Sequence, residues 1–394
     1  MTELLGMFDD WLMDGAAAAL VAREQLVPVE GTDAVIFPPT FAASEDRKSF
    51  PGGYNIDTFP DGTNVCLIDS VGAQANRIEP LFARSEYAQL VPQIVVIAGE
   101  RRLNLLEAGH RAGDAVVRFS SVGVKLWEAF KDLVRSGDAE KLAKIAPTSL
   151  VFGVWDSRGT QAKVPRAFRS VIRAFNVRPM TRSAQYIPPI DYKEEGVVSD
   201  ELDKGSGDEN PLSREGFKHN PAVKTPGGVV VGGEIRREMI VNLSAIRLLR
   251  AADDTRVQTL QRYILGLALV AATARNEERF RLREGCLLRI RPGATTAWRV
   301  VHFEGDDKNL SDLDLEMALR YAKEAAAAFG VGDSDEVEFD KRAASAWLSL
   351  PKKEQDKRRR NGPMTKQFVS GSTTAESGGA TGSGKSGRGA KKAK

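Results

Sequence analysis

The chain has 394 residues, 42% hydrophobic and 28% charged, a soluble globular composition with room for two or three units of roughly 150 residues each. Its net charge of +3 conceals a division: residues 351–394 hold twelve Lys/Arg against three Asp/Glu, while the preceding 350 residues carry 44 basic and 50 acidic groups. This excludes a uniformly basic, histone-like protein, so any polyanion site must be a local stripe. Cys66 and Cys286 stand far apart and outside CxxC spacing, which argues against a disulfide framework and a zinc knuckle. The acidic start MTELLGMFDD lacks the basic region of a secretory signal, and the longest apolar run, 264–272, is too short to span a bilayer. The expectation is a cytoplasmic protein with reduced thiols and no membrane partner.

In chain order, residues 3–26 read as a helix, with Leu4, Phe8, Trp11 and Leu12 at helical spacing. Residues 33–43 are strand-like, and 44–63 form a Gly/Pro/Asp-rich loop. Residues 65–68 read as a buried strand. Asp69 or Ser70 can then cap a helix running to about Phe82, with Gly72, Ala73 and Ala75 near its start and Gln74, Asn76 and Arg77 on the same turns. Such a helix start is either an anion site or a tightly packed crossover. Residues 93–98 give another strand, 104–119 a helix despite two glycines, 122–145 one or two helices, and 148–155 a strand.

Residues 151–182, VFGVWDSRGTQAKVPRAFRSVIRAFNVRPMTR, hold seven basic residues (Arg158, Lys163, Arg166, Arg169, Arg173, Arg178, Arg182) against the single acid Asp156. Arg suits planar, bidentate phosphate contact, and basic residues interleaved with Trp155, Phe168 and Phe175 are the raw material of a nucleic-acid groove. The competing reading is an amphipathic element with a solvated basic face. Phe168, Val171, Ile172 and Phe175 sit at helical spacing, whereas the β-branched content favours a strand.

Residues 183–227 are rich in Pro, Gly and mixed charge, a long loop of the functional or disordered kind. A strand pair at 229–231 and 235–243 carries Arg236 and Arg237. A long apolar helix at 255–274 follows, then a hairpin at 285–291 and 298–303 and a final helix at 313–329. From about Pro351 the composition is that of a disordered basic Gly/Ser tail.

The tail segment GATGSGKS (379–386) fits the P-loop pattern letter for letter, but the mechanism needs a strand before it and a helix after it. Linker-like sequence surrounds it, so Lys385 is expected to hold no nucleotide. Catalytic material is scarce. His110 and Asp114 could share a helix face without a third metal ligand, His219 lies in the 183–227 insertion, and His302 alternates with apolar neighbours. Asp306, Asp307, Asp312 and Asp314 read as a solvated loop and cap. No cofactor, metal or catalytic residue is expected.

Four segments taken together resemble a known family: DSVGAQANRIEPLF (69–82), GHRAGDAVVR (109–118), FGVWDSRGTQAKVPRAFRSVIRAFNV (152–177) and GGVVVGGEIRREMIVNLSAIRLLR (227–250). They are similar to the CRISPR-associated Cascade backbone subunit of type I-G (formerly I-U) systems, the Cas-seven family of the RAMP superfamily, across roughly residues 30–330 in order. The resemblance implies an α+β fold: an RRM-like (ferredoxin-like) core over 1–182 and 228–350, with a thumb-like insertion at 183–227; the disordered tail at 351–394, read from its composition, is no part of the family pattern. It also favours a strand at 166–177. It implies a non-catalytic subunit that polymerises head to tail along guide RNA (crRNA) beside other Cascade subunits, presenting the guide for pairing with target DNA in antiviral defence. The RNA-binding residues implied are Gln74, Asn76, Arg77, Arg158, Lys163, Arg166, Arg169, Arg173, Arg236 and Arg237. The rival reading is a RAMP-type endoribonuclease cutting repeat RNA with His110 or His219 as general base.

Overall fold

The computed structural model describes residues 3–13, 15, 17–46, 49–206, 209–274, 280–310, 313–359 and 362–364. The mixed α+β fold is carried by strands β1 (Ala17–Pro28), β2 (Asn64–Asp69), β3 (Phe168–Phe175), β4 (Val177–Tyr186), β5 (Asn220–Val231), β6 (Ile235–Asn242), β7 (Cys286–Ile290) and β8 (Ala297–His302). Its principal helices are α1 (Val71–Ile78), α2 (Ser121–Ser136), α3 (Asp254–Thr273), α4 (Leu315–Phe329), α5 (Lys341–Leu348) and α6 (Lys352–Arg359).

β1 is the middle of the main antiparallel sheet. It pairs with β6 along one edge, and along the other with β8 over Ala17–Arg23 and with β7 over Leu26–Pro28. β6 pairs in turn with β3, and β3 with β2. The expected hairpin at 285–303 is therefore a correction: β7 and β8 are consecutive pieces lying on one edge of β1, and they do not pair with each other. Likewise β5 and β6 belong to different sheets, so the expected 229–243 strand pair is not formed.

Three further expectations are corrected. Residues 17–28 are a strand, because a position between two pairing neighbours outweighs the helix preference of its alanines; only Glu3–Gly6 and a short 3-10 turn at Asp9–Leu12 are helical before it. Residues 104–119 break into 3-10 turns (Leu105–Glu107, Arg111–Gly113) and one helical turn (Ala115–Arg118), with Arg111 in the left-handed region at φ 51°. Residues 148–152 form a helical turn and leave only Val154–Trp155 as strand. By contrast, β2 followed by the Ser70-capped helix α1 appears as expected, the Ser70 hydroxyl accepting from the Ala73 amide at 3.1 Å. β3 is a strand, and the helical spacing within it is coincidental.

One face of the sheet is buried under α1 and α3, and α4 packs against α3. α3 is apolar all round from Tyr263 to Ala272, and each fully buried Leu or Ile on it contributes roughly 1.5–3 kcal/mol. Gly266 lets α4 cross closely, since a Cβ there would lie 2.9 Å from the Ala322 backbone. The Tyr263 ring stacks on Phe329 at 4.8 Å, and its hydroxyl donates to the Leu90 carbonyl at 2.7 Å. Two apolar clusters occupy opposite ends of this face: Leu20, Phe168 and Met239 in one, Leu26, Cys66 and Ile172 in the other.

Between the clusters runs a buried polar band. Arg237 Nη1 meets Glu24 Oε2 at 3.1 Å, Arg237 Nε donates to Ser170 Oγ at 2.8 Å, and Ser170 donates to Gln74 Oε1 at 2.8 Å. Gln74 Nε2 then donates to Asp69 Oδ2 at 2.7 Å, and Arg77 Nε reaches the same oxygen at 3.2 Å.

The insertion rises from a two-stranded ladder, β4 against β5, joined at its base by Val35–Ile36. Residues 187–219 connect the two strands. The tail boundary also moves. α6 is helical beyond Pro351, and Met364 is buried beside Phe119, Ala343 and Trp347. Residues 365–394, including the P-loop-like segment and Lys385, lie outside the described residues, as does Asp312.

Candidate nucleic-acid interface

A groove of about 590 Å³ lies between α1, the turn at 109–113 and the turn joining Val154–Trp155 to Lys163–Val164. Its wall begins where the 148–152 helical turn stops at Gly153. That residue has φ +77°, and a Cβ there would come within 2.7 Å of Arg166 Cγ, so glycine is required. Val154–Trp155 then pairs with Lys163–Val164, the strand alternation burying Val154 and exposing Trp155. Lys163 Nζ stands 4.8 Å from the Trp155 ring centre.

Asp156, the one acid of the basic stretch, is spent on closing the turn. It is buried, and its Oδ2 accepts from the Thr160 amide at 2.6 Å and the Thr160 hydroxyl at 2.9 Å. Among the described residues no ion pair holds Arg158, Lys163 or Arg166, and all three are exposed.

The floor of the groove is Arg111. Its Nε lies 2.6 Å from Glu79 Oε2, and both side chains are buried. Its other nitrogens donate at 3.4 Å to the Gly153 carbonyl and to Asn76 Oδ1. Burial pushes the Glu79 carboxyl up to about 7, against the opposing pull of Arg111 and a Thr148 hydrogen bond. Partial desolvation of its otherwise exposed side chain lowers the Arg166 pKa, with the neighbouring Arg111 charge acting in the same direction.

Of the ten expected RNA-binding residues, the groove brings together Asn76, Arg158, Lys163 and Arg166. Gln74 and Arg237 are corrections: both are fully buried in the polar band, so they brace the sheet and cannot meet a ligand. Arg77 is tied to Asp69 and to the Leu282 carbonyl at 2.6 Å. Arg169, Arg173 and Arg236 lie on the opposite, open face of the sheet. There Arg173 meets Glu238 at 2.7 Å, while Arg236 meets Glu238 at 3.3 Å and covers the Phe175 ring at 4.1 Å. Arg169 is exposed on that face. Phe168 belongs to the core, edge-on to Phe152.

Sequence reasoning missed Arg111. Its one signal was an arginine in a glycine-flanked turn, GHRAG. His110 lines the groove but shares no helix face with Asp114, whose carboxylate accepts from the His110 backbone amide at 3.3 Å. His219 lies away from the groove, beside Gln185 Oε1 at 3.2 Å. Among the described residues no group of three or more His, Cys, Asp or Glu could hold a metal ion, and no helix is long and apolar enough to cross a membrane.

The groove, β2, β3 and most of β1 fall within residues 20–179, which match the model of a family described as CRISPR-associated protein GSU0053. Over that stretch the chain is similar to a CRISPR-associated family of the Cas-seven type. No curated protein matches the chain.

Proposed function

We propose that the protein is a non-catalytic backbone subunit that binds CRISPR guide RNA and polymerises along it in a type I, subtype I-G, interference complex, presenting the guide to target DNA. The observation that carries this reading is the convergence of Asn76, Arg111, Arg158, Lys163 and Arg166 on one groove inside the family-matched segment. Cations such as Arg158, Lys163 and Arg166, which no ion pair among the described residues holds, neutralise phosphates without reading sequence, which a subunit serving many different guides requires. The sheet supports an RRM-like core, because β8, β1, β6 and β3 lie side by side in that order, with α1 and α3 on one face. The β4–β5 ladder and residues 187–219 supply the thumb-like projection that would reach a neighbouring copy or another Cascade subunit.

A second reading is favoured by one observation: His110 lines the same groove, where a general base of a RAMP-type endoribonuclease would stand. Incubating purified protein with CRISPR-repeat RNA separates the two. The backbone reading expects intact RNA in a stable complex; discrete fragments that vanish in His110→Ala would overturn it.

A further inference from the structure

Trp155 is 54% exposed, whereas the other four tryptophans, Trp11, Trp127, Trp298 and Trp347, are buried or half-buried. Its position is imposed by the fold. The Val154–Trp155 pairing turns it outward over the groove, and Gly113 packs beneath its backbone, where a Cβ would lie 3.1 Å from the Trp155 carbonyl. A large indole held in water loses burial, yet here it forms the rim of a pocket whose floor is cationic. Lys163 sits over one region of the ring, and an aromatic face bordered by cations suits a nucleobase joined to a phosphate.

The floor supplies the phosphate half. Arg111 and Arg166 converge on Gly153: Arg111 donates to its carbonyl at 3.4 Å, and the space of its missing Cβ is filled by Arg166. Glu79 is the one carboxylate paired with these two guanidiniums among the described residues. Arg166 is therefore left without an acid at the floor, while Arg111, paired with Glu79, also donates to Asn76 Oδ1 at 3.4 Å. Two guanidiniums brought together at Gly153, one of them without an acid, are stabilised by an incoming anion.

We propose that the groove is a seat for one unpaired ribonucleotide, its phosphate on Arg166 and Arg111 and its base stacked on Trp155. This rests on the reading of the groove as an RNA site and sharpens it: each copy grips one base as well as the backbone.

The test compares octauridine with an abasic ribose–phosphate oligomer of the same length, by titration against the full chain. Octauridine should quench tryptophan emission, and the abasic oligomer should not. Trp155→Leu should abolish the quench and weaken octauridine about tenfold, leaving abasic affinity unchanged. Arg166→Ala should weaken both oligomers alike. If Arg166→Ala weakens both while Trp155→Leu changes neither, the stacking seat is wrong and the RNA groove stands. If Arg166→Ala also changes neither, the RNA reading itself falls, and the seat with it. Arg111 is left intact because its removal would strand buried Glu79.

Discussion

Arg237 of β6 and Glu24 of β1 are registered cross-strand partners whose side chains meet at 3.1 Å on the buried face of the sheet. Arg237 is fully buried, and burial lowers its pKa against the pull of Glu24. Breaking such a pair from one side leaves an uncompensated buried charge, at a cost of about 3–5 kcal/mol. Glu24→Gln should therefore destabilise the fold by that order in urea denaturation. The double change Glu24→Leu with Arg237→Met should recover most of the loss. Equal destabilisation of the single and double variants would show that the pair does not govern this part of the core.

Glu79 makes stability pH-dependent with a definite sign. Its folded-state pKa, about 7, lies above its ordinary 4.5, so the folded protein holds this proton more tightly than the unfolded chain does. The contribution is fully present below about pH 4.5 and is lost as pH rises through about 7, amounting to roughly 3 kcal/mol. Glu79→Gln removes it. The stability of the variant relative to the parent should rise by that amount between pH 4.5 and 7.5. A difference that stays constant with pH would contradict the assignment.

The packed chain extends to Met364. Arg118 Nη1 lies 3.6 Å from Met364 Sδ, and Gln355 Nε2 donates to the Trp347 carbonyl at 2.9 Å. Truncation after Ser349 removes these contacts and should lower the thermal midpoint by several degrees, since burial of a Met side chain alone contributes roughly 1.5–3 kcal/mol. Truncation after Met364 should leave the midpoint unchanged. Equal midpoints for the two truncations would show that α6 and Met364 add nothing.

What the sequence reveals here is what is local. The Ser70 cap, the helix after β2 and the charge excess of 151–182 are each written within a few residues, and the groove inherits them directly. What it hides depends on partners distant in the chain. Arg173 and Arg166 look alike in sequence, but Glu238, 65 residues beyond Arg173, claims the former. Gln74 and Asn76 sit two residues apart on α1; the helical phase turns one to Ser170 and the other to the groove. β1 reads as a helix because alanines favour one, and only its two sheet neighbours make it a strand.

Replacing residues 188–218 by a short Gly/Ser link should leave a folded protein, because the β4–β5 ladder lies outside that span. Such a variant should still bind short RNA. If the projection reaches the next copy, the variant should lose the cooperative, evenly spaced nuclease protection that head-to-tail assembly gives a long guide. Evenly spaced protection by the variant would place the contact between copies on the core.

The claim that the groove holds RNA backbone is tested most directly by the salt dependence of single-stranded RNA affinity. The comparison is the parent against Arg158→Ala, Lys163→Ala and Arg166→Ala combined, with Arg173→Ala as the paired-arginine control. Three lost phosphate contacts should flatten the slope of log affinity against log salt by about 2 and weaken binding uniformly across sequences. Arg173→Ala should change the slope far less. A triple variant with the parent's slope and affinity would contradict the account.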